Sequence, residues 1–262
     1  MLDEDVIQSP QNAKLKSIKA LRSGKHREYT VLEGAHLVNE AMANRAEIEW
    51  ILVSDDCDDC GVDFAEVSFA VQRCQHKLMA DVSRLDSAPD IMAWVKRPVG
   101  DWREAVSNLQ VGQWCMIAAG VQDPGNLGAL TRIAAGLGAE FVLATKGSVS
   151  PWHPRAVRGA SGTNFRLPVF ESVDVDEFFE LCNSNNISSW ATCADGENLI
   201  TASSQLSSAA VALILGEEGR GLSDELVGKC AAKVGIPLTR DVESLNVATA
   251  AAIFAHQLNN HV

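Results

Sequence analysis

Three stretches of the sequence set polar side chains and glycines directly after buried apolar runs. In Val121-Gln-Asp-Pro-Gly-Asn-Leu-Gly-Ala-Leu-Thr-Arg132, a polar turn opens a helix carrying Asn126 and Arg132. Six residues apart, the two lie roughly 120° from one another around the helix, yet both can converge on something lying over its N-terminal end. Helix capping accounts for an asparagine there, but not for an arginine beside Leu130 and Ile133. In Val211-Ala-Leu-Ile-Leu-Gly-Glu-Glu-Gly-Arg-Gly-Leu-Ser223, an apolar strand runs into three glycines, two acids and an arginine, with Ser223 placed to cap the next helix. Glycines there let backbone approach a ligand closely. In Gly235-Ile-Pro-Leu-Thr-Arg-Asp-Val-Glu-Ser-Leu-Asn-Val-Ala248, Ser244 and Asn246 are expected in the first turn of a closing helix. Unsatisfied N–H groups and the helix dipole favour electron-rich partners at such a position. Three successive strands thus end in polar loops that can meet at one sheet edge.

Other chemistries fail on context. Gly136-Leu-Gly138 closes a helix and precedes a strand, the reverse of a dinucleotide fingerprint. Gly216-Glu-Glu-Gly-Arg-Gly221 lacks the Gly-Lys-Ser/Thr ending of a phosphate loop, and Gly159-Ala-Ser161-Gly162 is not a hydrolase elbow. Cys57-x-x-Cys60, with Cys74 and His76 beyond it, is irregularly spaced for zinc and crowded by Asp55, Asp56, Asp58 and Asp59, so it reads as an acidic surface turn with no metal expected. His153 has no nucleophile nearby in sequence and reads as a loop histidine.

The chain has 262 residues, 47% of them hydrophobic and 21% charged, the balance of an ordinary folded protein rather than a disordered or coiled-coil one. No apolar run reaches the roughly 18 residues of a membrane span. The acidic start MLDEDVIQSP resembles no signal or transit peptide, and seven scattered cysteines suit a reducing cytoplasm. A net charge of −12 argues by itself against a nucleic-acid partner. Its distribution argues the other way: Lys14, Lys16, Lys19, Arg22, Lys25 and Arg27 follow one another with no intervening acid.

The elements that must position these residues fall into two sets. Residues 1–107 read as a small α/β unit: helix 13–23 ending at Gly24, strand 29–32, helix 34–43, strands 49–53 and 67–71, a helix near 76–85 and strand 91–95. Pro98 and Gly100 mark the passage to the second unit, residues 108–262. Its strands are expected at 114–119, 140–144, 187–192, 210–215 and 233–236. Its helices are expected at 126–137, 175–183, 223–229 and 244–257, with a short one between. Buried strands alternating with helices imply a parallel sheet covered on both faces, with ligands beyond the strands' C-terminal ends.

The stretches DPGNLGALTRIAAGLGA, LILGEEGRGLS and IPLTRDVESLNVATAAAI, in this order, resemble the three motifs of the SpoU (TrmH-like) family of S-adenosylmethionine-dependent RNA 2′-O-methyltransferases, within the SPOUT superfamily. The resemblance spans about residues 113–258. The stretch KLKSIKALRSGKHREYTVLEGAHLVNEA resembles the L30e-like substrate-binding domain often joined to such enzymes. The resemblance implies a C-terminal trefoil knot, which periodicity does not reveal, and a homodimer. By motif match, Gly216, Ile236, Leu238 and Leu245 would hold the cofactor, and Asn126, Arg132, Glu218, Ser244 and Asn246 would form the catalytic polar set. Lys14, Lys16, Lys19, Arg22, Lys25, Arg27 and Arg158 would then contact RNA, with Arg155 and Arg166 along the groove. Thr239-Arg-Asp241 departs from the family, whose members usually carry a small residue or glycine there.

The implied reaction is methyl transfer to a ribose 2′-hydroxyl of RNA, ribosomal RNA ahead of tRNA. Arg132 is read as a clamp on phosphate or ribose oxygens rather than as a base, because a guanidinium stays protonated. A non-catalytic RNA-binding assembly factor and a small-molecule methyltransferase are the alternatives.

Overall fold

The computed structural model describes residues 2–65, 67–83, 85, 87–198, 208–217, 219, 221–240 and 242–259. The chain divides into two compact units, Met1–Val99 and Gly100–Val262.

The first unit holds β1 (Leu2–Ile7), α1 (Ala13–Arg22), β2 (Tyr29–Glu33), α2 (Ala35–Ala43), β3 (Ile48–Ser54), β4 (Ala70–Cys74), α3 (His76–Val82) and β5 (Ile91–Lys96). Its sheet runs β1-β4-β3-β5-β2, with β1, β4 and β3 parallel and β5 antiparallel to both β3 and β2. Leu15 and Ile18 of α1 pack with Val31, Leu52, Met79 and Trp94 in one core. Asn12 caps α1 by accepting the Lys14 N–H at 2.9 Å, and Gly24 leaves it at φ +79°. The expected strand 67–71 is displaced to Ala70–Cys74. Register explains the shift, since Val71 and Cys74 are the residues that meet Ile51 and Ser54 of β3.

The second unit continues with α4 (Trp102–Ser107), β6 (Trp114–Ala118), α5 (Pro124–Gly136), β7 (Val142–Thr145) and α6 (Pro154–Gly159). A 3-10 turn, Thr163–Phe165, leads to β8 (Val169–Val173), α7 (Val175–Ser184), β9 (Ile187–Asn198), β10 (Ala210–Leu215), α8 (Asp224–Lys229), β11 (Ala232–Gly235) and α9 (Val247–Asn259). The sheet order is β11-β9-β10-β6-β7-β8, and every pairing is parallel. All residues of β6, β7 and β10 are buried, as strands covered on both faces require. Cys115, Ile117, Ala212 and Ile214 face a core shared with α4, α7 and α8, and the residues alternating with them point to the other face.

The boundary expected after residue 107 falls instead after Val99. Trp102 and Val106 of α4 lie in the second unit's core, and the Arg103 guanidinium forks onto the Glu177 carboxylate of α7, with Nη2 donating to Oε2 at 2.7 Å.

Candidate active site

The C-terminal ends of β9, β10 and β11 surround a cleft of about 410 Å³. Each wall has a local cause. After β10 the chain turns at Gly216, where a Cβ would stand 2.3 Å from the carbonyl carbon of Gly221. The loop folds back on itself there, with the Gly221 N–H donating to the Glu217 carbonyl at 2.9 Å. Gly219 and Gly221 adopt φ +87° and +64°, the left-handed region that glycine enters without strain.

The β9 wall comes from a register jump. Lys233 of β11 pairs with Ala191, but the next residue, Val234, pairs with Glu197. The residues between are extruded from the ladder, and Thr192, Cys193, Ala194 and Asp195 line the cleft. Gly196 lets the chain return, since a Cβ there would sit 2.3 Å from the Val234 carbonyl carbon. The Thr192 hydroxyl, donating to the Ile214 carbonyl at 3.0 Å, pins the segment to β10. Burial pushes the Cys193 thiol pKa up, with Asp195 adding to the shift and Lys233 opposing it.

The apolar walls are Leu215, Ile236, Leu238, Leu245 and Phe254. Asp195, Glu217, Asp224 and Glu243 also line the cleft, against Lys233 as the one lining cation among the described residues, its Nζ 3.7 Å from the Asp195 carboxylate. Such a cleft suits a ligand with a flat apolar part and a positive charge.

All four residues expected to hold the cofactor, Gly216, Ile236, Leu238 and Leu245, line this cleft, as does Ser244. Asn246, between the lining residues Leu245 and Val247, does not itself line the cleft; beside it the Asn246 Nδ2 donates to the Asn126 Oδ1 at 3.3 Å. Two expectations about these residues change. The closing helix starts at Val247, so Ser244 and Asn246 precede it rather than occupy its first turn. Asn246 is its cap, with Oδ1 accepting from the Ala248 N–H at 2.9 Å and its carbonyl from the Ala250 N–H at 2.9 Å. Asn126 does not cap α5; Asp123 does, accepting the Asn126 N–H at 2.8 Å, followed by Pro124 at the first helical position. The Asn126 side chain is thereby available to bond across to Asn246.

Helix α5 is held close to α6. A Cβ at Gly128 would stand 2.3 Å from the Ala156 carbonyl oxygen and 2.9 Å from the Gly159 Cα. The two helices therefore cross backbone to backbone. His153, expected as a loop residue, caps α6 by accepting the Arg155 N–H on Nδ1 at 3.2 Å. Arg132 lies farther along α5, exposed, with no hydrogen bond or ion pair to a described residue. Arg155, Arg158 and Arg166 are likewise exposed on or after α6. Glu218 lies outside the described residues.

In the first unit, Lys16, Lys19, Lys25 and Arg27 are exposed. Lys14 is half-buried, its Nζ donating to Gln72 Oε1 at 2.9 Å and lying 5.7 Å from the Trp50 ring centre. Arg22 closes α1. The aspartates around Cys57 and Cys60 are turn formers, as where the Gly61 N–H donates to Asp59 Oδ1 at 2.8 Å. Among the described residues no group of three or more His, Cys, Asp or Glu is placed to hold a metal ion.

Sequence reasoning missed the extruded wall Thr192–Asp195. Its one signal was Gly196, a glycine inside an apparent strand, which marks a bulge or a close backbone approach.

Comparison with known proteins agrees with this geometry. The model of the SpoU rRNA methylase family matches residues 113–256, and that of the MRM3-like substrate binding domain matches residues 12–93. The 23S rRNA (guanosine(2553)-2′-O)-methyltransferase RlmP of Bacillus subtilis is 28% identical over 258 residues, covering 96% of this chain and 98% of its own. The SpoU methyltransferase AviRb from Streptomyces viridochromogenes, solved with AdoMet, superposes with a TM-score of 0.84 at 19% identity over 95% of this chain and 98% of its own. An AdoMet-bound rRNA methyltransferase from Sinorhizobium meliloti gives 0.84 at 24% identity over 98% of each chain. These two likenesses establish the fold, and the family model spans more than half of the sequence. The chain belongs to the SpoU rRNA methylase family.

Proposed function

We propose that this chain transfers a methyl group from S-adenosylmethionine to a ribose 2′-hydroxyl of ribosomal RNA. The observation that carries the reading is the Asn246–Asn126 bond next to the lining residues Leu245 and Val247 of a glycine-walled cleft, which joins two of the three motif segments. RlmP, similar along nearly its whole length, carries that activity in its name. The AdoMet complexes of AviRb and the Sinorhizobium enzyme share the fold.

The residues fit the cofactor. Gly216 and Gly219 offer bare backbone to an adenine edge, Ile236, Leu238 and Leu245 give flat apolar walls, and the rim carboxylates favour a sulfonium and an ammonium. When bound, S-adenosylmethionine supplies an electrophilic methyl group on a positively charged sulfur. The protein's task is then alignment and charge stabilisation. Asn246, fixed at both ends by Ala248 and Asn126, orients the ribose, and Ser244 beside Leu245 offers a second hydroxyl contact. Arg132 clamps phosphate or ribose oxygens and stabilises the developing alkoxide, while the 2′-hydroxyl proton leaves to phosphate or water. Glu218 orients Arg132 or its own loop.

Lys14, Lys16, Lys19, Arg22, Lys25, Arg27 and Arg158 are assigned to RNA phosphates. The first unit acts as the L30e-like substrate-binding domain. Membership of the SpoU family supports a trefoil knot in the second unit. Val242 at 50% exposure and Ile253 at 39%, beside and on α9, support a homodimer built on that helix. No helix among the described residues is long and apolar enough to cross a membrane, and seven free thiols support a cytoplasmic location.

The test is transfer of labelled methyl from S-adenosylmethionine to unmodified ribosomal RNA, mapped as an alkali-resistant ribose position. One labelled position in ribosomal RNA is the expected result. Label in tRNA alone would overturn the substrate, and cofactor binding without labelled RNA would overturn the reaction.

A further inference from the structure

Three aromatic rings stand in file across the first unit's sheet. Trp50 of β3 and Trp94 of β5 are a cross-strand pair whose rings are parallel within 1°, with centroids 5.5 Å apart. Tyr29 of β2 continues the stack on Trp94 at 5.1 Å and 23°. His26 meets Trp94 edge-on at 5.9 Å. The file is closed at one end and open at the other. Over Trp50 lies the Lys14 ammonium, tied to Gln72 of β4. Trp94 is enclosed between its two neighbours and only 3% exposed. Tyr29 is half-buried on β2, the edge of the sheet, and no strand among the described residues lies beyond it. Its hydroxyl donates to Glu49 Oε1 at 2.5 Å, which holds the ring upright.

The loop that delivers Tyr29 is the exposed segment Ser23–Glu28, carrying Lys25 and Arg27. The Tyr29 N–H donates to the His26 carbonyl at 2.9 Å and the Arg27 Nε to the Gly24 carbonyl at 3.3 Å, so the basic loop is turned tightly just before the outermost ring. A core needs neither an ordered stack running out to an edge strand nor a basic loop leading into its outermost ring. A flat ring with cations alongside is how proteins hold an unpaired nucleobase and its phosphates. Glu28, Glu47 and Glu49 near the ring exclude a phosphate from the ring itself, and leave carboxylate acceptors for the N–H donors of a base edge.

We propose that Tyr29 is the outermost ring of a stacking platform that takes one unpaired RNA base, with Lys25 and Arg27 on the flanking phosphates. This rests on the reading of the chain as an RNA enzyme and adds the class of RNA its first unit selects, a single-stranded or bulged segment rather than a duplex. The experiment measures binding of the full chain to a short single-stranded oligoadenylate, to an abasic ribose-phosphate oligomer of equal charge, and to a duplex of equal length. Oligoadenylate is expected to bind about tenfold more tightly than either, with quenching of tryptophan fluorescence as the base extends the stack. Tyr29→Leu is expected to remove that advantage, and Tyr29→Phe, which keeps the ring, to retain it. Equal affinity of the unaltered protein for abasic and base-bearing oligomers would overturn the platform whatever the variants do. Methyl transfer to ribosomal RNA is measured in parallel, so that the platform can fail while the enzymatic reading stands. Absence of methyl transfer and of all RNA binding would overturn both.

Discussion

Asn246 and Asn126, 120 residues apart in sequence, share a hydrogen bond of 3.3 Å from Nδ2 to Oδ1. The bond couples the start of α9 to the start of α5, because Asn246 also caps α9 and Asn126 sits in the first turn of α5. One side chain thus serves stability and, in the proposed reaction, ribose alignment. Substitutions separate the two roles. Serine caps a helix about as well as asparagine but is too short to reach Asn126, whereas alanine does neither. Asn246→Ser is expected to keep its melting temperature within about 2 °C while methyl transfer falls at least about tenfold. Asn246→Ala should lose the same activity and a further ~1 kcal/mol of stability. Thermal unfolding beside single-turnover kinetics checks both, and full turnover by the serine variant would remove Asn246 from the ribose site.

Gly128 sets the distance between α5 and α6. Alanine would favour the helix by about 1 kcal/mol on propensity alone. Its methyl, however, would collide with the Ala156 carbonyl oxygen at 2.3 Å and the Ala160 nitrogen at 2.9 Å, both backbone atoms that no rotamer change can move. Overpacking of this kind costs about 1–3 kcal/mol. Gly128→Ala is therefore expected to lower the melting temperature despite the propensity gain, and to weaken turnover by shifting Asn126. A higher melting temperature would show that the helices separate freely.

The parallel sheet was legible because its strands are unbroken apolar runs, such as Ala210–Leu215, and its helix starts carry cap residues, such as Ser223. The cleft's glycine loop was legible because Gly216, Gly219 and Gly221 end an apolar strand, whereas Ile236, Leu238 and Leu245 were singled out only by the family resemblance. Three things were not legible. β9 was read as ending at Thr192, since nothing in Thr-Cys-Ala-Asp-Gly announces that the chain leaves the ladder and rejoins it at Glu197; that is fixed by β11, added later in the sequence. Helix α4 was taken for a linker because Pro98 and Gly100 precede it, although Trp102 and Val106 belong to a core formed with α7. The aromatic file went unseen because Tyr29, Trp50 and Trp94 come from three strands, and only the order β3-β5-β2 makes them neighbours.

Arg132 tests the division of labour in the proposed chemistry. A guanidinium holds two oxygens at once in a fixed plane, whereas an ammonium of equal charge does not. Arg132→Lys is expected to lower the rate of methyl transfer by at least about tenfold, leaving cofactor affinity within about twofold. Because Arg132 is exposed, the substitution should leave thermal stability unchanged. Equilibrium binding of S-adenosylmethionine alongside single-turnover rates reads both quantities. An unchanged rate would rule out a bidentate clamp.

Tyr29 offers a prediction free of background, since it is the one tyrosine in the chain. Its phenol pKa is pushed from 10.0 up to about 12, first by its hydrogen bond to Glu49, then by burial and by the charges of Glu49, Glu28 and Glu47. In the unfolded chain it titrates near 10. Between these two values the unfolded state has released a proton that the folded state still holds. The stabilisation from this pair is therefore complete below pH 10 and disappears as pH rises towards 12. Phenolate absorbance, which reports Tyr29 alone, is expected to rise with a midpoint about two units above that of free tyrosine. In Glu49→Ala the midpoint should move back towards 10, and the alkaline loss of stability should flatten with it. A wild-type midpoint near 10 would mean that the hydroxyl is not held by Glu49.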